Sequence, residues 1–207
     1  WWYLYPIKCS TISVKYKHGL FDIRLPKLVA PFGVSLGLNP KSPNYSLGLL
    51  LPFDEDDDDF DEENKKLAKV LKSMEKVIIK HVSDNSESIY GKKLSEEHFI
   101  NKGVSFFKYS KKEEYKSSPP ILNVKMYLSE DKHPSFEIVD KKGKINPNWY
   151  TVSKKGKYKY DFQGVIDSGC QLKPNVRFDT IWIDISKETF SLNFKILGIK
   201  VSSGRDQ

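Results

Sequence analysis

Short runs of alternating apolar and polar residues fill most of this sequence, and in one stretch the apolar spacing changes from two to three and four. Thr11 to Tyr16, Leu20 to Leu25 and Tyr45 to Leu51 are bounded by Gly, Pro, Asn and Ser, which predicts strands separated by turns. Leu67, Val70, Leu71, Met74, Val77, Ile78 and Val82 then define an amphipathic helix from about Asp61 to Val82. A shorter helix is expected at Ser95 to Phe99. Strand signals resume at Val104 to Tyr109, Ile121 to Leu128, Trp149 to Val152, Tyr158 to Ile166, Val176 to Ile183 and Phe190 to Val201. About nine strands with one long helix predict a mainly β, α+β chain, a small barrel or sandwich carrying a helical insertion at about 52–100.

Composition adds a sign to this picture. At 207 residues the chain is long enough to bury its own core as one domain, and 13% aromatic residues supply large flat side chains suited to strands. The net charge is +7, and the cations are lysines apart from Arg24, Arg177 and Arg205. Lysine meets phosphate as a point charge, whereas a reader of base edges favours the bidentate arginine fork.

Several chemistries are set aside. Gly33-Val34-Ser35-Leu36-Gly37 matches a hydrolase nucleophile elbow, but that motif needs a helix immediately after it, and Pro40 and Pro43 follow. His18, His81, His98 and His133 are far apart and lack metal-site spacing, so no metal or other cofactor is expected. Asp161, Asp167, Asp179 and Asp184 are the only carboxylates a nuclease could use in the basic half, and their spacing proposes no pair. The sequence has no nucleotide-binding glycine loop. Cys9 and Cys170 are expected as reduced thiols, and no apolar run is long enough to span a membrane. The expectation is a non-enzymatic, intracellular protein.

Asp54 to Glu63 holds nine acidic residues in ten. The end of this run leads into the predicted helix, where acids favour the N-terminus and Lys72, Lys76 and Lys80 favour the far end. Set apart from the run, 34 basic residues face 18 acidic ones, so the body carries a surplus of 16. Asp54, Glu55, Asp56, Asp57, Asp58 and Asp59 read either as a solvated loop or as a regulatory segment competing with phosphate for a basic cleft.

Lysines and aromatic rings interleave in the second half. Lys108 and Tyr109, Lys125 and Tyr127, Trp149 and Tyr150, Lys157 to Tyr160 (with Tyr158 and Lys159 between) and Arg177 each place a cation at or near a ring. Single strands are bound by this combination, because cations follow the backbone and rings stack on any base. These eleven residues are the candidate contacts. Alternation puts Tyr158, Tyr160 and Phe162 on one face of a strand and Lys157 and Lys159 on the other, so each ring is either core or platform. Trp149, Tyr109 and Tyr127 are the first choices for stacking.

Leu25-Pro26-Lys27-Leu28-Val29-Ala30-Pro31-Phe32-Gly33-Val34, followed by Tyr45-Ser46-Leu47, resembles the N-terminal signature of the single-stranded DNA-binding proteins of nucleocytoplasmic large DNA viruses. That family is related to the corresponding protein of short-tailed phages. The closing segment from Ile181-Trp182-Ile183 to Phe194-Lys195-Ile196-Leu197-Gly198-Ile199-Lys200-Val201 is similar to the family's terminal strands. The resemblance implies an OB-like barrel, with Phe32 plugging it, that coats exposed strands in replication, recombination or repair. It implies no catalysis, and it places the protein in the host cytoplasm or nucleus, or in the virion. Phage relatives end in an acidic tail that contacts replication proteins and shields the DNA site, a role the internal run could take. Homo-oligomerisation is left open. The rival reading is a virion structural protein with a β-sandwich, which would show a contiguous apolar patch.

Overall fold

The computed structural model describes residues 2–6, 11–16, 19–37, 45–52, 57–110 and 117–203. Its largest sheet runs in the order β3 (Asp22–Arg24), β12 (Cys170–Arg177), β15 (Phe194–Ser203), β8 (Ile121–Met126), β6 (Tyr45–Leu50) and β5 (Val34–Leu36). Three short strands join it: β4 (Leu28–Ala30) on β12, β7 (Phe107–Lys108) on β8, and β9 (Ile138–Val139) on β15. A second sheet takes the order β1 (Trp2–Pro6), β2 (Thr11–Tyr16), β13 (Thr180–Asp184) and β14 (Thr189–Leu192), and β10 (Tyr150–Val152) pairs with β11 (Tyr158–Tyr160) as a hairpin. The pairings are antiparallel except those of β15 with β8 and β9, so the large sheet is mixed and the smaller ones are antiparallel, all of them open.

The expected long helix is α1 (Glu62–Asp84). The Asp61 side chain accepts from Asn64 N at 2.9 Å, and Glu62 and Glu63 occupy the first turn, which satisfies an orphan amide and suits the dipole. Leu67, Leu71, Met74, Ile78 and Val82 are buried as the spacing implies, but Val70 and Val77 of the same pattern face outward. Glu75 points inward, accepting from Ser105 Oγ at 2.7 Å and Phe106 N at 2.8 Å, and ties the helix to the segment entering β7. A short α2 (Ser86–Tyr90) follows, where polar spacing gave no signal. The expected short helix is α3 (Glu96–Asn101), capped by Ser95, which accepts from His98 N at 3.2 Å.

Two predicted strands are each divided. The run Val176–Ile183 breaks after Arg177, and Phe190–Val201 breaks at Asn193, because β12 and β15 belong to the large sheet while β13 and β14 belong to the smaller one. Burial continues through both corners: alternation stays in phase across Asn193, with Leu192, Phe194 and Ile196 buried, and shifts by one residue between Phe178 and Ile181. The run beyond Tyr160 is a turn, with Val165 N and Ile166 N both donating to Phe162 O. Conversely, β12 begins six residues earlier than predicted. Pro174 sits within it at the gap between β4, which pairs with 170–172, and β3, which pairs with 175–177, so its missing N–H leaves no ladder bond unmade.

The buried residues form one cluster around Phe106, Phe178 and Phe194, whose ring centroids lie 5.2–5.4 Å apart. Phe32 is not in it: at 69% exposure it stands at the tip of a turn and plugs nothing. The adjacent Gly33 explains the turn. Its φ is +63°, and a Cβ there would lie 2.8 Å from Ile166 O. Ser35 of the elbow-like motif lies within β5 opposite Ser46, in extended backbone, not at a strand-to-helix turn. No described helix is long and apolar enough to cross a membrane. Cys170 is buried on β12, and Cys9 lies outside the described residues.

Candidate nucleic-acid interface

Alternation along β12 buries Leu172, Pro174 and Val176 and turns Lys173, Asn175 and Arg177 outward. The register with β15 then sets Lys173 opposite Lys200, Asn175 opposite Gly198 and Arg177 opposite Lys195. On the other side Arg24 of β3 lies opposite Asn175. One face of two central strands is therefore paved with cations.

This face floors a groove in two connected parts. The larger, about 1130 Å³, is lined by Arg24, Lys66, Lys173 and Lys200 among others, with Glu63 and Glu137 as its carboxylates and His133 on its rim. The smaller, about 520 Å³, holds Tyr127, Arg177, Asp179, Trp182 and Lys195. Ser135 and Leu197 line both. Gly198 sits at the join, where a Cβ would make only ordinary contacts at 3.8 Å. Packing does not demand glycine there, and its bareness keeps the floor low.

The two parts differ electrostatically. Like charges directly opposite on neighbouring strands are destabilising. In the smaller part the conflict is relieved: Arg177 donates to Asp22 through Nε at 2.5 Å and an Nη at 2.7 Å, and Lys195 Nζ donates to Asp179 at 2.6 Å. The Arg177 hydrogen bond holds the Asp22 carboxyl below the usual carboxylate range and pushes the guanidinium higher still. In the larger part Arg24, Lys66, Lys173 and Lys200 form no ion pair among the described residues. Two exposed rings, Tyr127 at 56% and Trp182 at 48%, stand beside the smaller part. Partial burial, and then the Asp179 charge, raises the Tyr127 phenol, which stays neutral.

The structure distributes the eleven sequence candidates over three places. Tyr127 and Arg177 line the groove, and Lys125 lies opposite Lys195 on the adjoining strand. Lys108 and Tyr109 are at the other end of β8: Lys108 pairs with Ile121, six residues from Tyr127, or about 20 Å away along the strand. Tyr109 is exposed there at 55%. The rest belong to the hairpin. Tyr150 O–H is 3.1 Å from His133 Nε2, Tyr158 packs edge-on to the same imidazole, Tyr160 O–H donates to Ser129 O at 2.6 Å, and Lys157 pairs with Asp131. Lys159 is exposed.

Trp149 requires a correction. At 1% exposure it is sandwiched between Phe136 (centroids 5.0 Å, planes 15° apart) and Phe162 (5.5 Å, 24°), and it has no free face for a base. Residue-by-residue reasoning missed Arg24, Lys66, Lys173, Trp182, Lys195 and Lys200, since they lie on five separate elements that only the tertiary structure brings together. The available signal was alternation in Lys173-Pro174-Asn175-Val176-Arg177, which the proline concealed.

Of the six acidic residues read as a regulatory segment, Asp57, Asp58 and Asp59 are described: Asp57 accepts from Asp59 N at 3.2 Å, and Asp58 lies 4.0 Å from Lys65 Nζ. Asp54, Glu55 and Asp56 lie outside the described residues. No three described His, Cys, Asp or Glu residues are grouped to hold a metal ion. Asp179 and Asp184 are engaged with Lys195 and Lys187.

No protein-family model matches the sequence, and no curated protein matches it. Among solved structures, gp2.5, a single-stranded DNA-binding protein encoded by bacteriophage T7, is similar in fold. The TM-score is 0.53 at 10% identity, covering 90% of this chain and 93% of the phage protein. The single-stranded DNA-binding protein from bacteriophage Enc34, solved in complex with single-stranded DNA, aligns with a TM-score of 0.48 at 14% identity, over 98% of this chain and 97% of its own. The chain is thus mainly β and OB-like with one long helix, as its apolar pattern and resemblance implied, and its sheets are open where a closed barrel was expected.

Proposed function

We propose that this chain binds single-stranded DNA with little sequence preference, its backbone following the β12–β15 groove and its bases stacking on Trp182 and Tyr127. The observation that carries the reading is the Lys173–Lys200 pair. Two lysines directly opposite each other on the groove floor, neither forming an ion pair among the described residues, work against the fold and suit a polyanion. The exposed rings beside the smaller part of the groove supply stacking that tolerates any base. The fold shared with the T7 protein, which binds single-stranded DNA, supports the same reading. The role that follows is coating of exposed strands during replication, without catalysis. The family resemblance extends this role to recombination and repair in a large DNA virus.

Fluorescence anisotropy on labelled oligonucleotides tests the proposal. Single strands should bind more tightly than duplex of equal length, with a slope of log affinity against log salt of about −3 to −4 for roughly 4 to 6 phosphate contacts. Replacing both Lys173 and Lys200 by Gln should make that slope shallower. Equal or tighter duplex binding, or a flat salt response, would refute it.

A further inference from the structure

Lys195 and Lys200 both line the groove, although they are five positions apart on β15. In a regular strand, side chains an odd number of positions apart point to opposite faces. The register explains the exception. Val176 lies opposite Ile196 and Asn175 opposite Gly198, so Leu197 is an extra residue with no counterpart on β12, which makes a β-bulge. Ile196 and Ile199, three positions apart, are both buried, while Leu197 and Gly198 between them line the groove. The bulge resets the phase of β15, which brings Lys200 to the same floor as Lys195 and sets Leu197 in both parts of the groove.

Gly198 at this bulge is not explained by the fold. Its φ is not positive, and a Cβ there would meet nothing closer than Asn175 Nδ2 and Glu137 O, both at 3.8 Å. Alanine would fit, and glycine inside a strand weakens the fold relative to alanine. A glycine in such a place marks the close approach of a ligand or another backbone. Across from it, the exposed Asn175 side chain makes no hydrogen bond among the described residues.

We propose that the bulge at Leu197 and Gly198 is the crossing point of the groove: the sugar–phosphate backbone passes from the cationic part to the part with the rings in contact with the bare Gly198, and the Asn175 amide donates to the crossing phosphate. This rests on the single-strand reading above and extends it, because the strand gains one fixed point between the two parts.

The test measures urea midpoints and the anisotropy of a labelled thymidine oligonucleotide of about 12 nucleotides, long enough to occupy both parts. Gly198→Ala should raise the urea midpoint, since alanine leaves the unfolded chain fewer conformations. The same variant should nonetheless weaken binding about fivefold, because its methyl group stands where the strand passes. Gly198→Val, bulkier and suited to a strand, should weaken binding on the order of fiftyfold. It should also make the salt slope shallower by about 1, although no charge is removed, because the strand is then confined to one part. Asn175→Ala should weaken binding about threefold with the slope unchanged. If Gly198→Val does not fold, Gly198→Ala decides: weaker binding with a raised midpoint upholds the crossing, and unchanged binding overturns it. A lowered midpoint in Gly198→Ala, whatever its affinity, would make the glycine structural and also overturn it. Unchanged affinity in Asn175→Ala would overturn the phosphate contact assigned to that amide. Normal binding by all three variants while Lys173→Gln with Lys200→Gln weakens it would overturn the crossing and leave the groove reading intact. Failure of the unaltered protein to bind the oligonucleotide would remove both readings.

Discussion

Trp149 and Trp182 both occupy strand-like sequence, yet the structure treats them oppositely. Trp149 lies under the β10–β11 hairpin in a stack with Phe136 and Phe162, while Trp182 projects from β13 beside the groove. What separates them is which face of the strand has a layer packed on it. Ile181 and Ile183, the neighbours of Trp182, take the core side of β13, so alternation forces the ring outward. The segment around Trp149 is covered on its aromatic side by the turn at Phe162 and by Phe136. A ring beside a lysine in sequence is therefore no sign of a platform until the covered face is known.

The contrast can be broken first at Trp149. Trp149→Ala should destabilise the protein by about 3–5 kcal/mol, read as a lowered urea midpoint, while the folded fraction keeps its DNA affinity. An unchanged midpoint would mean the stack is not structural. Trp182→Ala should do the reverse, costing about 1–3 kcal/mol of single-strand binding with the urea midpoint unmoved. Loss of stability with normal affinity would make Trp182 a second structural ring and leave Tyr127 as the platform.

Smaller effects separate the free lysines from the paired ones. Lys173→Gln should weaken single-strand binding about fivefold at 0.1 M salt, from a slope of about 0.7 per contact. Lys195→Gln, whose cation is already held by Asp179, should do less in the same titration. An equal loss in both variants would show that phosphate displaces the Asp179 partner as readily as water leaves Lys173.

The smallest expected change is a gain. Asp22→Asn should free Arg177 and tighten binding by a few-fold in low salt, an advantage that fades as salt is raised. The same variant reports on pH. Because Arg177 depresses the folded-state Asp22 pKa, the pair's stabilisation is complete above the unfolded carboxyl value near 3.8 and is lost as pH falls through the lower folded value. Urea midpoints between about pH 5 and pH 2 should therefore fall less steeply in Asp22→Asn than in the unaltered protein.

Much of the architecture was legible in the chain because burial follows period. The three- and four-residue spacing from Leu67 to Val82 could only bury one side of a helix, and the acids at Glu62 and Glu63 marked where it starts. The runs at Tyr45 and Ile121 alternate, and they became the antiparallel neighbours β6 and β8. The groove was less legible. Lys125, Tyr127 and Arg177 were singled out by adjacency of cation and ring, but Lys108 and Tyr109 meet the same criterion and stand about 20 Å away along β8. Lys173 and Lys200 have no ring beside them in sequence.

By itself the sequence determined that the chain is basic, mainly β with one long helix, and which residues alternate between two faces, since charge and apolar period are properties of the chain alone. Only the tertiary structure decided which lysines meet and which rings are covered. Lys173 and Lys200 come together because β12 and β15, 27 residues apart at these positions, pair in a register with shifts at Gln171/Leu172 and Asn175/Val176. A one-residue slip would turn every outward side chain inward, and nothing local to either strand records that choice.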